Sequence, residues 1–181
     1  MSIPEPFASR LRATSIGLVL AVGTILYGQG MGIVFGLDED LIKARLKAAA
    51  ADVRVTVYES DDAAIKAVLD KSWSYMQRAH LHAGGMGTTA LGLILLLCLL
   101  DASWRATGAI GIGLGAGGFG YSTFWMWAGF RAPALGSTGA AKESLKWLAM
   151  PSSGAFVLAT VAVLVLLIAT ILRGQRTKPA H

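Results

Sequence analysis

The clearest pattern in this chain is a set of four long apolar blocks separated by polar segments. Each block is close to the ~20 residues that an α-helix needs to cross the hydrocarbon core of a bilayer. We therefore predict four membrane-spanning helices, at about residues 13–36, 82–100, 107–130 and 151–172. Residues 1–181 are interpreted as a single polytopic membrane domain, because the spans leave too little chain for a second one.

The segment 37–79 is the only sizeable polar stretch between spans, and its first part has a helical pattern. DEDLIKARLKAAAA begins with three acids, which are favourable at a helix N-terminus, and continues with strong helix formers. Leu41, Ile42 and Leu46 are expected to fall on one face, so we predict a short amphipathic helix.

The second part of this segment predicts two further elements. VRVTVYES alternates apolar and polar residues, which is typical of a strand over 53–57. A lone strand is not stable, so it would have to pair with another chain or be an extended linker. Ser60, followed by two acids, predicts a helix N-cap, and no Pro or Gly follows until Gly84. A helix beginning near Asp61 is therefore expected to run on into the membrane.

The connection between the third and fourth spans, GSTGAAKESLKWLAMP, predicts a short amphipathic helix on the membrane surface. Ser137 or Thr138 would cap it, and Pro151 would end it. Tryptophan is enriched at membrane interfaces. The predicted interfacial anchors are Trp104, Trp125, Trp127 and Trp147.

Composition agrees with a membrane protein rather than a soluble one. The chain is 54% hydrophobic and 15% charged, whereas a soluble domain has about 25% charged residues. The net charge of +5 does not indicate nucleic-acid binding, because the basic residues are scattered. Cys98 is the only cysteine, so no intrachain disulfide can form. The expected partners are the lipid bilayer and other membrane subunits or further copies of this chain.

Basic residues in the short segments near span ends predict the orientation. These are Arg10, Arg12, Arg105, Arg173, Arg176 and Lys178. They place both termini in the cytoplasm and segment 37–79 outside it. We expect a multi-pass protein of a plasma membrane, such as a bacterial inner membrane.

The predicted spans contain no Asp, Glu, Lys or Arg. Transporters, pumps and proton relays usually keep an ionisable residue within the membrane, so this pattern disfavours those classes. The sequence also contains no paired carboxylates, HExxH, GxSxG or phosphate-binding loop. An enzyme is therefore the less favoured interpretation.

Glycines are concentrated in the first three spans. GIGLGAGGFG has the spacing of a dinucleotide-binding loop, but such a loop must lie between a strand and a helix. Within a span, small residues instead allow helix backbones to approach closely. The predicted packing glycines are Gly84, Gly85, Gly111, Gly115 and Gly118.

The stretch AHLHAGGMG holds His80 and His82 at the start of the second span. Residues two apart on a helix point about 200° apart, so these histidines cannot bind one ion together. Each has a methionine four residues away, on the same helix face. The candidate ligand set, all expected near the outer membrane boundary, is His80, His82, Met31, Met76, Met86 and Met126.

Packing and interfacial roles explain these side chains most simply, with no cofactor bound. One alternative is a thioether–imidazole site for Cu(I), a soft metal. Another is a haem with His and Met axial ligands. Ligation by two histidines of one chain is excluded, because no second helix supplies a histidine.

The sequence thus predicts an all-α membrane protein. Its fold would be a four-transmembrane-helix bundle with an extracytoplasmic helical segment between helices 1 and 2. The preferred function is that of a noncatalytic accessory or assembly component of a membrane complex. The alternative is a redox or metal-handling protein that uses the His/Met cluster.

Overall fold

The fold is all-helical, as predicted. The structure, a computed structural model, describes residues 5–176, and Lys178 of the basic tail lies outside them. The helices are α1 (Glu5–Ala13), α2 (Ser15–Ala51), α3 (Asp62–Leu99), α4 (Trp104–Leu135), α5 (Thr138–Glu143) and α6 (Lys146–Arg176). We call the end of the bundle that carries residues 52–60 the outer end, and the opposite end the inner end.

Three helices, α2, α3 and α6, are long and apolar enough to cross a membrane. This supports a multi-pass membrane protein. At 1.5 Å per residue, α2 and α3 are each about 55 Å long, so they exceed a ~30 Å hydrocarbon core and part of each must project beyond it. Helix α4, predicted as the third span, is not among the three. Eight of its 32 residues are glycines, which contribute little to hydropathy.

Helix α4 is the central element of the bundle. It contacts all five other helices, whereas α6 packs mainly against α4. The middle of the core is formed by Ile94 and Leu97 of α3, Leu114 of α4 and Val163 of α6, all fully or almost fully buried. Helices α2 and α3 pack against each other as well as against α4. The most glycine-rich helix is thus the one with the most neighbours.

Helix α2 has a hinge at Asp38, whose backbone is not helical (φ −155°, ψ 70°). The Asp38 carboxylate accepts a hydrogen bond from the Leu41 amide (3.0 Å), as an N-cap residue does. Helical structure then continues to Ala51, where the sequence predicted a short outer helix. The acids that begin this segment therefore start a new helix on top of the first span.

The predicted strand over 53–57 is wrong. Residues 52–60 form consecutive turns, closed for example by a hydrogen bond from Val57 N to Val53 O (2.9 Å). Only Tyr58 of this stretch is buried, and its hydroxyl donates to the carbonyl of Pro133 at the end of α4 (2.7 Å). The alternation that suggested a strand has no neighbouring strand in residues 5–176 to pair with.

Helix α3 begins at Asp62 and continues without a break to Leu99, as predicted. Its N-cap is Asp61 rather than Ser60, because the Asp61 carboxylate accepts from Ala63 N (2.8 Å) and Ala64 N (3.0 Å). Ser60 instead adopts a left-handed backbone (φ 62°) that closes the preceding turn.

The connection between α4 and α6 differs from the prediction at its end. Ser137 caps α5 by accepting from Ala140 N (3.2 Å), but Pro151 does not end a helix. It lies within α6, which already begins at Lys146. A proline this near the start of a helix removes only one backbone bond, so α6 continues through it.

The inner end is joined by polar contacts across three segments. Asp101, in the α3–α4 connection, contacts Arg10 of α1 and Arg173 of α6, each at 3.3 Å. Asp101 is largely exposed, so each pair contributes little stability. Thr14 is fully buried between α1 and α2, and its hydroxyl lies 3.6 Å from the Cys98 sulfur.

Candidate functional site

His80 and His82 point from α3 toward different helices. The Nδ1 atom of His80 lies 2.8 Å from the carbonyl oxygen of Gly28 on α2. The Nδ1 atom of His82 lies 2.7 Å from the carbonyl of Arg78, one turn back on α3, and its ring faces Tyr121 of α4 (5.2 Å between centroids). The two imidazoles therefore belong to separate environments.

The hydrogen bonds also set the tautomer of each histidine. A carbonyl oxygen only accepts, so Nδ1 carries the proton in both neutral rings and Nε2 is the nitrogen with a free lone pair. Histidines that bind metals are commonly oriented in this way by a backbone carbonyl. The same hydrogen bond also satisfies the Nδ1–H group of a histidine that binds no metal.

His80 packs in a space that glycines of α2 leave open. A Cβ atom added at Gly32 would lie 2.8 Å from Cε1 of His80, so only glycine accommodates the ring. The ring also meets the edge of Phe35 (6.1 Å between centroids). His80 thus contributes to the contact between α2 and α3.

His82 and Met86 share a shallow groove between α3 and α6. Its volume is about 240 Å³. It is lined by Leu81, His82, Gly85, Met86, Thr89 and Phe156. Of the pairs that the sequence placed on one helix face, this is the pair that the structure keeps in one groove. We call it the His82 groove.

Met31, Met76 and Met126 lie together elsewhere. They line an apolar cavity of about 400 Å³, which we call the methionine cavity. Its lining is Tyr27, Gly30, Met31, Val34, Phe35, Ile42, Met76, Met126 and Phe130. No lining residue is shared with the His82 groove. The structure therefore separates His82 and Met86 from the other three methionines of the predicted ligand set.

His80 is separated from its expected partner Met76. It lines a further pocket with Glu39, Trp73 and Gln77, whereas Met76 is fully buried in the methionine cavity. Within the part of the chain that the structure describes, no three His, Cys, Asp or Glu side chains are grouped as a metal site would require. Any site using these histidines would depend on thioethers or on another chain.

Trp125, predicted as an interfacial anchor, packs inside an aromatic cluster instead. Its ring lies 4.9 Å from Tyr75 and 5.1 Å from Phe124, measured between centroids. The Arg78 guanidinium lies over it at 5.1 Å. Its indole N–H is buried and has no hydrogen-bond partner among the described residues. The aromatic spacing of α4 did not reveal that this residue faces α3.

The other three predicted anchors are exposed. The exposed fractions are 63% for Trp104, 46% for Trp127 and 64% for Trp147. Trp127 and Trp147 lie 6.5 Å apart at the outer ends of α4 and α6, and Arg105 covers Trp104 at the inner end. Their positions suit side chains at a membrane interface.

Two of the predicted packing glycines lie at the closest approach of α2 and α4. A Cβ atom at Gly115 would lie 2.5 Å from the carbonyl oxygen of Gly17, and one at Gly17 would collide with the carbonyl of Gly111. Gly118 is looser, since its nearest neighbour would be Met86 Cβ at 3.4 Å. The α2–α4 crossing is therefore formed backbone to backbone.

A Cβ added at Gly84 or Gly85 would meet nothing within 4 Å, so a side chain at either position would not collide within this chain. The backbone of Gly84 nevertheless lies against Gly28 of α2. The α2–α3 crossing depends instead on Gly28 and Gly87, whose added Cβ atoms would lie 3.0 Å from Gly84 N and Ile25 N, respectively. The recurrence of small residues every three or four positions in α2 was the signal that could have identified them.

The middle of the outward surface of α3 differs from that of α6. Between the exposed Leu81 and Leu95, the exposed residues of α3 are small or short, Gly85, Thr88, Thr89 and Gly92, which we call the small-residue face. No atom lies within 4 Å of a Cβ added at Gly85 or Gly92. On α6 the exposed side chains are large, and they include Val157, Leu158, Val161, Leu164, Val165 and Ile168.

Comparisons of this chain with known protein families, with curated proteins and with solved structures found no match. The candidate sites are defined by their geometry: the His82 groove, the methionine cavity and the small-residue face.

Proposed function

We propose that the protein is a four-span integral membrane protein that acts as a noncatalytic accessory or assembly component of a membrane complex. The fourth span in this proposal is α4. It has 32 residues, which corresponds to about 48 Å. It has no Asp, Glu, Lys or Arg between Arg105 and Arg131, and it is packed against all three candidate spans. A helix surrounded in this way would share their membrane position.

Four spans would put both termini on the same side of the membrane. The basic side chains at the inner end, among them Arg10, Arg12, Arg105 and Arg173, favour a cytoplasmic location for that end. The projecting part of α3, the turns at 52–60 and the outer part of α2 would then lie outside the cytoplasm.

The observation that carries the accessory role is the small-residue face of α3. Large aliphatic side chains, as on α6, fill the space between helix and lipid well. Small residues leave the backbone accessible, and in membranes they are enriched where another helix packs. A face with Gly85, Thr89 and Gly92 open to the outside therefore favours contact with a helix from another subunit or another copy.

Two substitutions with one matched control test this role. Gly85→Leu and Gly92→Leu add large side chains at exposed positions where an added Cβ atom meets nothing within 4 Å, so the fold of the chain should be kept. Each should weaken association in mild detergent by on the order of tenfold, equivalent to ~1.4 kcal/mol. Gly23→Leu on α2, where the space is also open, should have no effect.

The measurement is the size and composition of the complex purified from membranes with each variant. If the complex forms equally well with Gly85→Leu, Gly92→Leu and the unchanged chain, the small-residue face is not where this protein contacts its partner. Loss of the complex with Gly23→Leu alone would move the interface to α2.

The geometry of His82 favours a second candidate function, the handling of a soft metal or haem. The carbonyl of Arg78 holds Nδ1, which leaves Nε2 as the free nitrogen, and Met86 shares the same groove. Imidazole and thioether together suit Cu(I). Two side chains do not complete a site, so a partner or a second copy would have to supply the remaining ligands.

Titration of the purified protein with Cu(I) under reducing conditions tests this candidate. His82→Ala should abolish binding, while His80→Ala should keep it, because His80 faces α2. A Soret band in the purified protein would indicate haem instead. Binding no tighter than that of a detergent blank would exclude the copper site.

A further inference from the structure

The hinge in α2 creates a second groove that adjoins the methionine cavity. This hinge groove has a volume of about 890 Å³. It is lined by Leu41, Ile42, Ala44, Arg45, Leu46, Ala48, Ala49 and Phe130. Ile42 and Phe130 line both spaces, so the two form one continuous surface depression between α2 and α4.

The inner part of this depression suits a flexible hydrocarbon chain. Almost all of the surface of the methionine cavity is apolar, and its volume of about 400 Å³ lies within the roughly 300–1,000 Å³ of known ligand sites. Three of its lining residues are methionines, Met31, Met76 and Met126. Their unbranched side chains adapt readily to the shape of an irregular apolar ligand.

The outer part of the depression has a positive charge. Arg45 lines the hinge groove and forms no salt bridge with any other side chain in residues 7–173. Nearby acids are engaged or turned away. Asp38 caps the Leu41 amide, Glu39 pairs with Lys43 (2.7 Å), and Asp40 lies two residues before Ile42, on the opposite side of the helix.

The arrangement matches that of a phospholipid in a bilayer, with an apolar part toward the membrane interior and a charged part at its surface. Phe130 ends the apolar stretch of α4 and Arg131 follows it, so the shared part of the depression lies at the membrane boundary. The methionine cavity extends from there toward the bundle interior, and Arg45 lies on the outer side. An arginine at this level attracts anionic lipid headgroups and suits a phosphate.

We propose that this depression binds one anionic phospholipid of the surrounding bilayer. Its acyl chain occupies the methionine cavity, and its phosphate lies at Arg45. The site is independent of the accessory role, because it lies between α2 and α4 rather than on the outward face of α3.

A pair of glycine variants tests the hydrocarbon part of the site. Gly30 lines the methionine cavity, and a Cβ atom added there meets no atom within 4 Å, so Gly30→Phe should place its ring in the cavity without displacing the backbone. Gly23 lies seven residues earlier on the same face of α2, also with open space, but outside the cavity. Gly23→Phe is the matched control.

Native mass spectrometry of the full chain, released from detergent containing phosphatidylglycerol, counts the retained lipids. The unchanged chain and Gly23→Phe should each keep one lipid, and Gly30→Phe should keep at least tenfold less. Equal retention by all three proteins would overturn the proposal. A loss of dimer rather than of lipid in Gly30→Phe would also overturn it, because the occupant would then be a second copy.

A pair of charge variants tests the headgroup. Arg45→Gln should lower the preference for phosphatidylglycerol over phosphatidylcholine by about fivefold, the effect of one basic residue near an anionic headgroup. Lys47→Gln, exposed and outside the lining, should leave the preference unchanged. If the unchanged chain retains phosphatidylglycerol and phosphatidylcholine equally, the ligand is not selected for its negative charge. Equal effects of the two variants would contradict the placement of the phosphate at Arg45.

Discussion

At the scale of single residues, His80 and His82 show how a helix directs side chains that are close in sequence toward different neighbouring helices. Their different orientations follow from helix periodicity alone, and the sequence predicted them. What each side chain contacts does not follow from periodicity, because it depends on which helices lie beside α3. His80 meets glycines of α2, and His82 meets the aromatic cluster of α4.

This difference predicts unequal effects of removing the two imidazoles. His80→Ala deletes the hydrogen bond to Gly28 and leaves a gap beside Gly32, so it should lower the free energy of unfolding by about 1–3 kcal/mol. His82→Ala loses a bond within its own helix and should cost less. Unfolding in detergent by denaturant measures both, and a larger effect at His82 would contradict the packing role of His80.

Tyr58 is a second residue whose role the sequence did not reveal. It directly follows the predicted strand 53–57, and its hydroxyl donates to the carbonyl of Pro133 and fixes the 52–60 turns on the end of α4. Tyr58→Phe keeps the ring and removes the hydroxyl, and it should cost about 1 kcal/mol of unfolding free energy near neutral pH. An unchanged unfolding free energy would show that this contact does not stabilise the fold.

The contribution of Tyr58 should also depend on pH. Burial raises the pKa of this phenol above its ordinary value of 10.0. Above that value the unfolded chain loses the proton while the folded chain keeps it, so the contribution is full below about pH 10 and declines as pH rises through the folded pKa. The difference between the unchanged chain and Tyr58→Phe should therefore shrink between pH 9 and about pH 11. A constant difference in unfolding free energy between the two proteins over this pH range would contradict a raised pKa for Tyr58 in the folded state.

At the scale of helices, pattern predicted most elements, and local chemistry decided where they begin and end. The continuous helix from Asp62 into the membrane followed from a cap and an uninterrupted run of helix formers. The strand over 53–57 failed because alternation alone does not supply a neighbouring strand. Pro151 was taken as a helix end because sequence alone did not show that α6 begins five residues earlier.

Helix crossings are less predictable than helices, and the glycines show why. Composition identified α4 as a packing helix, but not which glycines face a neighbour. Gly115→Leu should destabilise the bundle by about 3 kcal/mol or more, because the side chain would displace the backbone of Gly17. Gly84→Leu, with open space beside it, should cost little more than a surface change.

Thermal stability in detergent compares these two variants directly. Both introduce leucine into a membrane helix and differ only in what surrounds the position. Equal melting temperatures for Gly115→Leu and Gly84→Leu would show that the backbone contact between α2 and α4 does not stabilise the bundle.

At the scale of the whole molecule, the chain is a set of helices arranged around a glycine-rich centre, with two kinds of outer surface. Sequence reasoning gave the membrane class, the helical fold and the candidate side chains. It did not give their grouping, because whether Met31 and Met126 meet His82 depends on the rotation of three helices relative to one another. The structure places them in the methionine cavity, apart from the His82 groove.

The most direct test of the accessory role is site-directed cross-linking in native membranes, with Cys98 replaced by alanine. Thr89→Cys places a thiol on the small-residue face, and Val161→Cys places one at a similar position along α6, where large side chains are exposed. Thr89→Cys should cross-link to a partner subunit or to a second copy, and Val161→Cys should remain uncross-linked. Cross-linking through Val161 that equals or exceeds that through Thr89 would contradict the assignment of the interface to α3.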